Sequence, residues 1–184
     1  MDIVVAAAIA IAFGVVIWAW NQLWAAATPV FVAVPPAQNI LYGVWLMPAV
    51  FGGLIVRKPG AALFTELVAA AVSAILGSQW GLDALVSGLV QGAGAELVFF
   101  ATRYRVWTVA VVALAATASA ITAWIHDVAL YYLDIGLGPQ LAILAFMVIS
   151  AIVIAGIGSW LLMRSLSQTG VLAQFPAGRA QQRV

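Results

Sequence analysis

Two carboxyl groups sit inside apolar runs, where a charge is expensive. Glu66 lies within residues 60–77 and Glu96 within residues 82–102. An ionised side chain at the centre of a membrane helix costs at least about 2.5 kcal/mol on insertion scales, so such residues face the bundle interior and have a partner. Glu66 has no basic residue on its own run, and its carboxyl suits a cation or a hydrogen-bonding heterocycle. Glu96 stands seven residues before Arg103, on the same helical face. Its spacing fits a structural ion pair as well as a ligand contact.

Gln91 lies between Gly88 and Gly92, small residues that admit either a ligand or a tightly crossing helix. Asp127 and Tyr131 are four apart and share a face; Asp127 can attract a cation or cap local structure. The neighbouring His126 points off that face and reads as an interfacial residue. Trp18, Tyr42, Trp45 and Trp80 fall where they can reach an outward-facing pocket, and aromatic faces attract flat cations. The remaining tryptophans read as anchors at the membrane–water boundary.

The elements that must hold these residues are six apolar stretches, at 3–20, 40–56, 60–77, 82–102, 106–131 and 138–163. The chain is 66% hydrophobic and 7% charged. Runs of this length suit helices crossing a bilayer. The fold class expected is all-α, a six-transmembrane-helix bundle, with one membrane domain at 1–170 and a polar, mobile cytoplasmic tail at 171–184. All seven basic residues fall on one side of such a bundle: Arg57 and Lys58, Arg103 and Arg105, then Arg164, Arg179 and Arg183. The positive-inside rule makes that side cytoplasmic, together with both termini. The first outer connection, between Asn21 and Asn39, is apolar but broken by Pro29, Pro35 and Pro36. It reads as a poor helix, either a lid over something or a segment lying on lipid. Pro48 should kink the second helix.

Several chemistries are set aside. No Gly-rich phosphate loop ends in Lys-Ser/Thr, so any ATP-driven role requires a separate ATPase. One histidine and no cysteine do not make a metal site. No cofactor and no nucleic-acid partner are expected. The first helix carries a small-residue stripe at Ala6, Ala10 and Gly14, with Ala8 and Ala12 beside it. Such stripes allow close helix approach, for internal packing or for docking another membrane subunit.

The chain resembles the substrate-binding S components of energy-coupling-factor (ECF) transporters, and within them the YkoE family. The segments that carry the resemblance are Leu41–Trp45, Arg57–Leu63 with Glu66, Gly77–Gly81, Gln91–Leu97 with Arg103–Arg105, and Tyr131-Tyr132. The resemblance implies a membrane subunit without catalytic activity that handles thiamine or its hydroxymethylpyrimidine precursor. It also implies a membrane T component, two cytosolic ATPases, and a helix-1 stripe at Ala6 and Ala10 that faces the T component. Two other functions compete. A proton-coupled secondary transporter would use Glu66 or Glu96 as the titrating group. A membrane-embedded lipid-modifying enzyme would need a cluster of acids and bases, which only Glu96 approaches.

Overall fold

A computed structural model describes residues 2–172, 175, 177 and 178. The described residues form helices and turns only. Seven α-helices follow in order: α1 (Asp2–Ala27), α2 (Met47–Val56), α3 (Ala61–Ile75), α4 (Asp83–Ala101), α5 (Val109–Tyr131), α6 (Leu137–Ser150) and α7 (Ser159–Gln168). Two 3-10 segments, Thr28–Phe31 and Pro35–Val44, join α1 to α2, and a π-helical stretch, Ala151–Gly158, makes α6 and α7 one continuous rod. Five spans are long and apolar enough to cross a bilayer, and α3 is a shorter apolar helix. Helices suit lipid because each satisfies its own backbone N–H and C=O groups.

The first helix runs past the expected residue 20 to Ala27, and the proline-rich connection beyond it is mostly wound rather than a loop. Proline explains the winding. Its fixed φ suits the start of a helical turn, and Pro29, Pro35 and Pro48 all sit in first turns. Pro48 therefore starts α2 instead of kinking it. The segment Pro35–Val44 packs inward: Gln38, Asn39 and Tyr42 are buried, and Ser150 on α6 binds both Ile40 O (2.6 Å) and Gly43 N (2.8 Å). Val30, Val32 and Val34 before it remain exposed.

The stripe at Ala6, Ala10 and Gly14 is an internal seam, which corrects its expected role as a docking face. Ala6 and Ala10 are buried, and a Cβ on Gly14 would lie 2.5 Å from Val72 Cβ on α3. Small side chains there let α1 lie directly on α3. The neighbouring Ala8 and Ala12 face outward, beside the exposed Val4, Ile11 and Val15. A second seam joins α3 to α4, where a Cβ on Gly92 would meet Leu63 Cα at 3.0 Å.

Connectivity places Arg57, Lys58, Arg103, Arg105 and Arg164 at one end, here the basic end. Arg179 and Arg183 lie outside the described residues. The chain after α7 does not run free where it is described. Leu172 and Ala177 are buried and Phe175 packs against the core, because these side chains are apolar within an otherwise polar tail.

Candidate functional site

The helix ends opposite the basic end surround a cavity of about 200 Å³. Its lining comes from Ile17, Asn21 and Trp24 of α1, Tyr42 and Trp45 at the 3-10/α2 junction, and Glu66, Ala70 and Ser73 of α3. Ser78 and Trp80 follow from the turn after α3, Asp83, Ala84, Ser87, Gly88 and Gln91 from α4, and Asp127, Tyr131 and Tyr132 from the end of α5. Seven of the residues expected from sequence therefore meet here: Tyr42, Trp45, Glu66, Trp80, Gln91, Asp127 and Tyr131. No Lys or Arg lines the cavity.

Glu66 sits deepest, with 1% of its surface exposed. Its Oε2 accepts the Ala49 N–H at 2.7 Å. Ala49 lies in the first turn of α2, whose N–H groups have no intrahelical acceptor. A helix N-terminus, rather than a basic side chain, is thus the protein partner of this carboxyl.

Above it stands an aromatic wall built on Trp45. Its ring centroid lies 4.7 Å from that of Trp24, 5.0 Å from Tyr42 and 6.2 Å from Trp80, and Trp80 continues to Tyr131 at 5.7 Å. Asn21 fixes the wall. Its Oδ1 accepts the Trp45 indole N–H at 2.9 Å, while its Nδ2 donates to Ser73 Oγ (3.2 Å) and Ser78 Oγ (3.0 Å). Rings whose polar atoms are spoken for offer their faces to a ligand.

The opposite wall is a polar chain. Gln91 donates to Ser87 Oγ (2.6 Å) and to Tyr42 OH (3.4 Å), and Tyr42 OH donates to Asp127 Oδ2 at 2.7 Å. The other Asp127 oxygen lies 3.0 Å from His126 Nδ1, and His126 Nε2 lies 3.1 Å from Asp83 Oδ1. Tyr131 OH donates to the second Asp83 oxygen. Just beyond α5, burial and then the charge of Asp127 push the Tyr132 phenol up from its ordinary range. His126 is therefore a buried bridge, not the interfacial residue that its position suggests. Asn21 and Ser78 give little sequence signal because the bond between them joins residues 57 apart.

Trp18 and Glu96 lie elsewhere. Trp18 is 37% exposed and does not line the cavity. Glu96 is at the basic end, where its carboxylate accepts the N–H groups of Gly60 (2.6 Å), Ala62 (3.0 Å) and Leu63 (3.4 Å) and the Tyr104 hydroxyl (2.6 Å). It caps α3 from α4, as an anion at a helix N-terminus should. These donors, not an ion pair to Arg103, hold Glu96. Burial, then the bond to and charge of Glu96, push the Tyr104 phenol up to about 12. Arg57 lies over the Trp107 ring at 5.2 Å, and burial lowers its guanidinium from the usual range.

The arrangement is a cavity in a membrane bundle, with an aromatic wall, facing carboxyls and no Lys or Arg in its lining. A solved structure described as the crystal structure of an S-component of ECF transporter has the same fold, with a TM-score of 0.94 at 34% identity. The match covers 99% of this chain and 92% of that one. The chain matches over residues 1–122 the family described as "ABC-type cobalt transport system, permease component", and it belongs to that family. A protein named as an HMP/thiamine permease, YkoE of Bacillus subtilis (strain 168), is 35% identical over 179 residues, which is 97% of this chain and 89% of that protein. The chain is an S component of an ECF transporter, a multi-pass protein of the prokaryotic plasma membrane and not an enzyme. That sets aside the lipid-modifying reading.

Proposed function

We propose that this S component binds thiamine or its hydroxymethylpyrimidine part from the outer face, with the basic end and both termini cytoplasmic. The observation that carries this is Glu66. A carboxyl 1% exposed, held by one backbone N–H, forms the deep wall of a cavity with no basic side chain. Such a group wants a donor or a positive charge from the ligand. An aminopyrimidine supplies N–H donors to it, and a thiazolium offers a flat cation to the faces of Trp45, Trp24 and Trp80. The name of the Bacillus relative points the same way.

The donor set suits an organic cation better than a bare metal ion as cargo. There is no cysteine, and the one histidine spends both ring nitrogens on Asp83 and Asp127. Without a nucleotide motif, transport would require a membrane T component and two cytosolic ATPases. Ala8 and Ala12 are outward-facing small residues in the first half of α1 that suit such docking.

Mass spectrometry of the small molecule released from the purified, denatured protein tests the reading, followed by calorimetric titration of the emptied protein. Thiamine or the pyrimidine should be released and rebind with sub-micromolar affinity. A different ligand, with no binding of either, would overturn it.

A further inference from the structure

His126 touches no part of the cavity surface, yet it joins two carboxylates that do. A neutral imidazole has one N–H and one lone pair. With Asp127 Oδ1 on Nδ1 and Asp83 Oδ1 on Nε2, a neutral ring would turn its lone pair on a carboxylate oxygen. The protonated ring donates to both. The bridge spans α4 and α5 near the mouth, and its surroundings are anionic or neutral. Tyr131 donates to Asp83, Tyr42 donates to Asp127, Tyr132 lies in the field of Asp127, and Glu66 is deeper in the same cavity. Among the described residues facing the two aspartates, His126 is the group able to carry positive charge.

We propose that the Asp83–His126–Asp127 bridge is a proton-exchanging counter-ion that makes the site select for a fixed positive charge. In the empty cavity the imidazolium compensates the two aspartates. A cationic ligand entering beside them takes over that role and raises the energy of the imidazolium through like-charge repulsion. The imidazolium N–H bond breaks, its electron pair stays on nitrogen, and the proton leaves to solvent. The net charge of the occupied site is thereby held constant. The ligand prefers the deprotonated ring, so its affinity rises with pH while the ring of the free protein titrates, then levels off. A neutral ligand has no such preference, and its affinity stays flat.

The inference rests on the thiamine reading, and the test separates the two. Emptied protein is titrated calorimetrically near neutral pH in two buffers of different ionisation enthalpy, with thiamine and with 4-amino-5-hydroxymethyl-2-methylpyrimidine. The two probes share the aminopyrimidine, so the difference isolates the thiazolium charge. Thiamine should release up to one proton per molecule bound, and the pyrimidine none. His126→Gln should abolish the release, and Asp83→Asn should reduce it. Thiamine binding without proton release, equal release by both probes, or undiminished release from His126→Gln would overturn the inference and leave the functional reading standing. If His126→Gln does not fold, the comparison of the two probes on the unaltered protein decides alone. Binding of the pyrimidine without thiamine would likewise overturn only the inference, and failure of both probes to bind would overturn both.

Discussion

Glu66 is a buried carboxyl and Glu96 a half-buried one, both in apolar helices, and their partners give them different work. Glu96 meets three backbone N–H groups and a phenol, enough to satisfy a carboxylate completely. Glu66 meets one N–H and a cavity. Replacing Glu66 by Gln keeps an acceptor for Ala49 but removes the charge. Thiamine affinity should fall at least about tenfold, in line with the 1.5–3 kcal/mol of a charged hydrogen bond. Thermal stability in detergent should stay near that of the unaltered protein. Unchanged affinity by calorimetry would remove Glu66 from the site. Glu96→Gln should do the reverse, lowering stability by about 1–2 kcal/mol through a weakened cap while sparing affinity. At this scale the sequence was legible wherever one residue contradicts its surroundings. A carboxyl in an apolar run announces itself, and seven of the nine proposed ligand residues lie in the cavity wall. His126 and Asn21 were misjudged or missed because their meaning lies in partners on other helices. Asp83 is 43 residues from His126, and Ser78 is 57 from Asn21.

At the scale of elements, periodicity located the helices but not which way each faces. Two alanine stripes on α1 are equally smooth in sequence, and only packing against α3 shows that Ala6, Ala10 and Gly14 form the inner one. A tryptophan at Ala10, which has no exposed surface, must push α1 off α3. It should cost at least about 2 kcal/mol of stability and thiamine binding with it. A tryptophan at the outward-facing Ala12 should leave binding in detergent intact and abolish uptake in cells, because it blocks close approach of a T component. Retained uptake with Ala12→Trp would take this stripe out of the docking surface. The connection between α1 and α2 was also only half legible. Its prolines read as breakers, whereas they start 3-10 turns that carry Tyr42 into the cavity wall. Trp20 Nε1 on Leu41 O and Gln38 Nε2 on Trp24 O fasten it to α1 with few bonds. Ligand should slow hydrogen exchange of Thr28–Val44 more than that of α5. Equal exchange with and without ligand would deny this segment a role as a lid.

Across the whole molecule the described basic side chains keep away from the cavity. The basic residues described lie at one end, while Glu66, Asp83 and Asp127 line the cavity toward the other. This distribution bears on what the cavity will refuse. A phosphate ester is normally held by Arg, Lys or a helix N-terminus with free N–H groups. No Arg or Lys lines the cavity, which leaves the helix N-termini as the one alternative. Each of the two that face it already has a carboxyl beside it. Ala49 at the start of α2 donates to Glu66, and α4 opens with Asp83 in its first turn. An anion there would replace a bond already made or meet a like charge at short range. Thiamine diphosphate should therefore displace labelled thiamine at least about a hundredfold less well than thiamine itself, a difference of about 2.8 kcal/mol. The deficit should shrink in Asp83→Asn, which removes a like charge from one helix start. Equal displacement by the diphosphate would show that an anion finds donors in this cavity, and the account of its charge would then be wrong.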